Sequence, residues 1–272
     1  MVGLVAPARS DAEISEAIFA TEDELLSLGC RRERLPFGEA LVDPVHPSIY
    51  DVNTLRAVQG RPSWPQLESG FAVVLGGSSC RHRRLVARDP ATVRHLDEVL
   101  LPRSFNRQVC VAMALSARAP FRPVPEGMTL HLVAGEDGVL LAGVARCQDR
   151  VRREEAWYTP DVSVQMDEMA ERQIHEGGAE FVAAVDRYGS VAGALLLYCR
   201  DGVGFIADVG TAPSYRRMGV ATAVVAAAAA IAQARGCDLV GLTARRDDKP
   251  RHLYARLGFE VVGESVDWLR GP

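Results

Sequence analysis

No Cys-x-x-Cys pair occurs in these 272 residues, and none of Cys30, Cys80, Cys110, Cys147, Cys199 and Cys237 has a histidine at metal-ligand spacing. That excludes a zinc module and a disulfide framework, and scattered thiols in a chain of this size fit a reducing compartment. Long apolar runs are missing too. The longest uncharged one, Val220 to Ala232, is too short and too rich in alanine to span a bilayer. Met1 to Ser10 carries only a few apolar residues before acids begin at Asp11, unlike a signal peptide, so the expectation is a cytoplasmic protein with no membrane partner. A formal net charge of −4 gives no overall attraction to nucleic acid. The glycine-rich loop Gly76-Gly77-Ser78-Ser79 lacks the lysine and spacing of a phosphate loop and reads as a helix stop.

With 48% hydrophobic and 24% charged residues, the composition is that of an ordinary globular protein, long enough for one large or two ordinary domains. Proline concentrates in residues 119–127, which divides the chain into 1–118, a linker over 119–127, and 128–272. In the first half the spacing predicts helices over 11–29, 65–75 and 91–100, an extended stretch over 31–42, and strands over 83–87 and 108–115. The basic clusters at Arg31 to Arg34 and Arg81 to Arg84 read as solvated strand faces or ends.

The second half reads as a strand (128–133), two helices (139–150 and 162–176) and three strands (180–186, 191–199, 204–211) joined by hairpin turns. A helix from near Met218 to a glycine stop at Gly236 follows, then a strand (239–243), a short helix (247–257) and a strand (259–262). Between strand and helix, Arg216-Arg217-Met218-Gly219-Val220-Ala221 sets a glycine and a small residue where helix N-terminal N–H groups are still free. Such donors, backed by the helix dipole and two arginines, suit a phosphate or pyrophosphate.

Arg216-x-x-Gly219-x-Ala221 resembles the cofactor motif of the GNAT acyltransferase superfamily. Downstream, Asp247-x-x-Pro250-x-x-Leu253-Tyr254-x-Arg256-Leu257-Gly258-Phe259 resembles that family's C-terminal signature, with Asp247 in place of the usual Asn and Pro250 in place of a small residue. The short helix is therefore expected to start at Pro250 with Asp247 or Asp248 near its cap. The element order matches the family over roughly residues 128–272.

The resemblance implies the α/β (α+β) GNAT fold in the C-terminal half: a mixed, mostly antiparallel twisted sheet flanked by helices. The first half, which repeats neither motif, is expected to be a GNAT-like α/β unit that has lost its cofactor site, with an unrelated α/β domain as the alternative. The implied activity is acyl-CoA-dependent N-acyl transfer, in which a primary amine of a small molecule or peptide attacks the thioester of acetyl-CoA directly. A non-catalytic coenzyme-A-binding regulatory or scaffolding protein stands as the alternative, and a homodimer is left open.

Carried over residue by residue, the resemblance assigns coenzyme A to Val209, Gly210, Thr211, Arg216, Arg217, Met218, Gly219, Val220, Ala221, Asp247 and Tyr254. Gly210 would suit a bulge, and an N–H near Val209 would face the thioester oxygen. Tyr254 is the candidate general acid, since a phenol near pKa 10 can protonate a departing thiolate near 8.5. The strand glutamate that serves many relatives as base is Ala207 here. Asp208 is adjacent, but strand alternation points it to the opposite face. Tyr158, Asp161, Glu168 and His175 are further candidates near the acceptor, and Arg245, Arg246 and Lys249 could meet the coenzyme's 3′-phosphate.

Overall fold

Ser10 opens the first helix, α1 (Asp11–Ser27), through a reciprocal cap in which its N–H donates to the Glu13 carboxylate at 2.8 Å and the Glu13 N–H donates back to its hydroxyl at 3.3 Å. The computed structural model describes residues 9–115 and 117–271. After α1 come β1 (Arg31–Leu35), β2 (Gly38–Val42), β3 (Thr54–Val58), α2 (Trp64–Ser78), β4 (Arg83–Ala87), α3 (Pro90–Leu100) and β5 (Asn106–Leu115). The second half contributes β6 (Met128–Val133), α4 (Gly138–Arg152), α5 (Pro160–Gly177), β7 (Glu180–Asp186), β8 (Val191–Arg200) and β9 (Val203–Thr211). It closes with α6 (Val220–Ala234), β10 (Leu239–Arg245), α7 (Pro250–Arg256) and β11 (Phe259–Arg270).

The order α1 to β5 repeats the order α5 to β11: a helix, three strands, a helix, a strand, a short helix and a last strand. In each copy the third and fourth strands run parallel, β3 with β4 and β9 with β10. The first half is thus a second, shorter copy of the same α/β unit. The two copies share one sheet in the order β1-β2-β3-β4-β11-β5-β10-β9-β8-β7-β6. Each copy sends its last strand into the other, for β5 lies between β10 and β11, and β11 lies between β4 and β5.

Alternation along β5 drives this joint. Val111, Met113 and Leu115 face the layer of α6 and α7, whereas Ala112 and Ala114 face the layer of α1, α4 and α5. A third cluster joins α2 and α3 to the first-half strands and to Trp268 of β11, which is fully buried and donates its indole N–H to Asp97 at 2.9 Å. Truncating a side chain of that size in such a core typically costs about 3–5 kcal/mol. The alanine run of α6 lets that helix sit close on the sheet: a Cβ on Gly204 would stand 2.4 Å from the Ala232 Cβ.

Several elements differ from the sequence expectation. Residues 31–42 form a hairpin turning at Pro36 and Phe37, and β3 was not foreseen. Gly76 and Gly77 do not stop α2, which runs to Ser78 and ends on left-handed Ser79 (φ 60°). The last strand extends to Arg270 because it pairs along β5 and then β4. Of the second basic cluster, His82 is buried and donates its Nε2–H to the Asn53 carbonyl at 2.9 Å, and Arg84 is held by Asp51 at 2.8 Å and Asp267 at 3.6 Å; neither is a solvated strand face. All six cysteines are free thiols.

Candidate active site

Strands β9 and β10 pair from Val203 and Leu239 as far as Ile206 and Leu242, and then separate. Beyond Ile206 the β10-facing edge of β9 has no strand partner, so a wedge opens along Ala207 to Thr211. Its cause lies in β9 itself, where the register against β8 slips between Ala207↔Leu196 and Gly210↔Ala194. Asp208 takes up the extra residue in a left-handed conformation, φ 50°. The bulge is centred on Asp208, not on Gly210 as the sequence reading had it. Gly210 is small for another reason: a Cβ there would stand 2.2 Å from Oε1 of Gln148.

Because the bulge breaks the two-residue alternation, Asp208 does not turn away from Ala207. Both line the same cavity. Although the Asp208 side chain is partly open to solvent, desolvation by the surrounding walls raises its carboxyl above the ordinary carboxylate range, and Arg152 pulls it the other way. Arg152, on α4, is itself held by the Asp167 carboxylate at 2.7 Å and the Ser163 carbonyl at 3.1 Å. Buried Gln148, also on α4, donates to the Asp208 carbonyl at 2.6 Å. The sequence reading missed both α4 residues, whose only signal was polarity on the inner face of an amphipathic helix.

At the wide end of the wedge the chain turns through Pro213–Tyr215 and reaches α6. Arg217 (φ 65°) and Gly219 (φ 87°) are left-handed, and Gly219 is the N-cap residue. The first turn closes when the Ala223 N–H donates to the Gly219 carbonyl at 3.0 Å. Ahead of that bond, the N–H groups of Arg217, Met218, Gly219, Val220, Ala221 and Thr222 find no partner among the described residues. The helix therefore begins two residues later than expected, and the loop keeps six donors free. Of the two arginines, Arg216 binds Glu154 at 2.6 Å and the Thr211 carbonyl at 3.3 Å, which leaves Arg217 as the cation without a partner among the described residues. The buried Thr211 hydroxyl, on the splayed strand, also has none.

Tyr254 of α7 is buried in the cluster beneath α6, edge-on to Phe259 at 6.3 Å between ring centroids, and Val209 packs against that same cluster. Burial raises its phenol to about 12, with Asp248 pushing the same way. α7 begins at Pro250 as expected, but Lys249 occupies the cap position and makes no side-chain cap bond, while Asp247 is exposed in the preceding turn. Tyr158 binds Asp149 at 2.9 Å, Asp161 accepts from Gln165 at 2.9 Å, and His175 is exposed. Glu168 stands 3.6 Å from buried His46, whose other nitrogen meets Asp43 at 2.7 Å; Arg172 of α5 holds that same carboxylate at 2.6 Å, locking the two copies together. Arg246 pairs with Glu264.

The equivalent place in the first half is closed. Left-handed Ala57 (φ 48°) stands where Asp208 stands, yet β3 and β4 pair on both sides of it, Leu55 with Leu85 and Val58 with Ala87. No wedge forms there. At the start of α2, Pro65 removes a donor, and the Trp64 ring lies 4.8 Å beneath the Arg103 guanidinium.

Residues 144–259 match the sequence model of the acetyltransferase (GNAT) family. No curated protein matches the chain. Among solved structures, the chain is similar to a functionally unknown conserved protein from Staphylococcus epidermidis ATCC 12228, at 16% identity and a TM-score of 0.65 over 90% of this chain and 95% of that one. It is similar to a GCN5-related N-acetyltransferase from Kribbella flavida, at 20% identity and a TM-score of 0.59 over 94% and 95%. A tandem GNAT protein from the clavulanic acid biosynthesis pathway aligns at 14% identity and a TM-score of 0.55 over 97% of both chains. At these identities the likeness to the three is one of fold.

Proposed function

We propose, from the match of residues 144–259 to the acetyltransferase (GNAT) family model and from the geometry of the site, that the chain transfers an acetyl group from acetyl-CoA to a primary amine, using the wedge between β9 and β10. The observation that carries this reading is the run of free N–H groups from Arg217 to Thr222 at the mouth of the wedge. Converging backbone donors at a helix N-terminus favour a pyrophosphate, and Arg217 adds a cation beside them. Along the unpaired edge, the backbone of Val209, Gly210 and Thr211 and the orphan Thr211 hydroxyl suit an amide-bearing arm. Asp247, exposed in the turn before α7, is retained as a proposed coenzyme contact.

The donor supplies an activated thioester; the protein's residues then have three tasks. The Val209 N–H, on the bulge, is assigned the task of stabilising negative charge that develops on the carbonyl oxygen. Tyr254, with its phenol held near 12, stays protonated through neutral pH and serves as proton donor to the leaving sulfur. Asp208 accepts a proton from the incoming amine, directly or through water, and its raised carboxyl is a stronger base than an ordinary aspartate once ionised.

The test is a calorimetric titration of the full chain with acetyl-CoA and free coenzyme A, followed by thiol release over a panel of amines. Binding with release supports the proposal, and Tyr254→Phe should then lower turnover by about 10²-fold or more with little change in coenzyme affinity. Binding without release on any amine would instead support a regulatory coenzyme-binding protein, and absence of binding would overturn both readings.

A further inference from the structure

Beside the wedge, a cavity of about 430 Å³ is walled by both copies of the fold. The second copy contributes β9, β10 and α5, and the first contributes α1, the loop at Tyr50 and Asp51, and strands β4 and β5, with β11 closing the far side. Its volume is that of a metabolite-sized site. Four carboxylates border it, Glu22, Asp51, Asp208 and Asp267, against two guanidiniums, Arg84 and Arg245. Arg84 is already engaged by Asp51 and Asp267. Gln173, nearly fully buried at 2% exposure, borders the same cavity; its amide nitrogen donates to the Leu25 carbonyl at 3.4 Å and its amide oxygen has no partner among the described residues.

Resting on the acyltransferase reading above, we propose that this cavity is the acceptor pocket and that it selects a small, unbranched amine carrying a second positive charge. The reacting amine must become neutral to attack, so it does not itself balance the surplus of carboxylates. A second ammonium does. Glu22 and Asp267 are both held above the ordinary carboxylate range chiefly by burial, with Arg56 acting against this at Glu22 and Arg84 at Asp267. A cation among them relieves that penalty, and an N–H of the guest satisfies the Gln173 oxygen. Leu25, Ile49, Met166, Met169 and Phe205 provide apolar walls for the methylene chain between the two nitrogens. Cys110, pushed up to about 12 by burial, stays an inert thiol in the same wall. On this view the first copy, which has closed its own wedge, supplies the acceptor specificity of the second.

The test titrates the full chain with putrescine and with n-butylamine, equal in carbon number and different by one ammonium, and titrates acetyl-CoA in parallel. Putrescine should bind roughly ten-fold or more tightly than butylamine, the value of one charge-assisted hydrogen bond in a part-buried site. Glu22→Gln should remove most of that preference while acetyl-CoA affinity is unchanged. Should that variant fail to fold, Asp51→Lys, which alters a half-exposed side chain, should weaken putrescine about five-fold or more and leave butylamine and acetyl-CoA alone. Equal binding of the two amines, or stronger binding and turnover of a lysine-containing peptide, overturns the inference while the acetyl-CoA titration leaves the transferase reading standing. Loss of acetyl-CoA binding in the unmodified chain overturns the transferase reading and this inference with it.

Discussion

Gln148 of α4 donates its amide N–H to the carbonyl oxygen of Asp208 at 2.6 Å, and its other terminal atom fills the space that a Cβ on Gly210 would occupy. One buried glutamine thus grips the bulge on both sides of Val209. The bulge keeps Asp208, a non-glycine residue, in a left-handed conformation that costs on the order of 1 kcal/mol or more and persists only when neighbours enforce it.

Gly210→Ala should therefore evict Gln148. The expected loss is about 1–3 kcal/mol of stability from overpacking, together with a fall in acyl transfer well beyond what that loss explains. Gln148→Leu, which keeps volume and removes the donor, should lower turnover similarly with coenzyme affinity changed less. Chemical denaturation and steady-state kinetics on both variants check this. Full activity in both would mean that the bulge needs no support from α4.

At the α6 cap, Gly219→Glu introduces a side chain into open space, so no clash arises, but φ is 87° and the backbone strain costs about 1 kcal/mol. The variant should fold, while a carboxylate beside the free N–H groups repels the pyrophosphate. Acetyl-CoA binding should drop by 10²-fold or more, read by calorimetry beside a circular dichroism melt. Retained micromolar affinity would relocate the coenzyme site.

The second half was legible because its elements are local, with the loop and the Leu253-Tyr254 motif falling between strands of clear pattern. Non-local pairing was not. Nothing in Cys110 to Leu115 announces that these residues pair with both Arg245 to Val240 and Ser265 to Phe259. β3 escaped notice because Arg56, buried and paired with Asp23, interrupts a short run. Asp208 was assigned to the wrong face because an inserted residue shifts the two-residue period, and the period is all that the sequence displays. The acceptor cavity draws Glu22, Asp51 and Asp267 from positions far apart in the chain, so no window contains it.

Glu22 makes a pH prediction with a definite sign. Its folded pKa lies above the unfolded value, because burial outweighs the opposing charge of Arg56 and the 2.7 Å bond from the Thr243 hydroxyl. The folded state therefore holds a proton that the unfolded state has released. Stability from this group is fully present below the unfolded pKa of about 4.3 and is lost as pH rises through the folded value. Glu22→Gln should thus raise the melting temperature at neutral and mildly alkaline pH, with the difference vanishing near pH 4. A gain in stability together with weaker binding of a dicationic amine is the pattern expected of a strained binding group. A destabilised variant at pH 8 would show that Glu22 is a structural ion-pair partner instead.

The exchanged strands predict that neither half folds alone. Residues 119–272 lack β5, which leaves β10 with a bare edge and detaches β11 from the rest of the second copy's sheet. Val111 to Leu115 are all buried, and losing their apolar contacts forfeits roughly 5–10 kcal/mol, comparable with the whole stability of an ordinary domain. Expressed alone, the fragment should aggregate or remain unfolded by circular dichroism. Co-expression with residues 1–118 should restore a soluble complex that binds acetyl-CoA, because the strand is then supplied in trans. A lone fragment that melts cooperatively and binds the coenzyme would mean that β10 and β11 can close on each other without the first copy's strand.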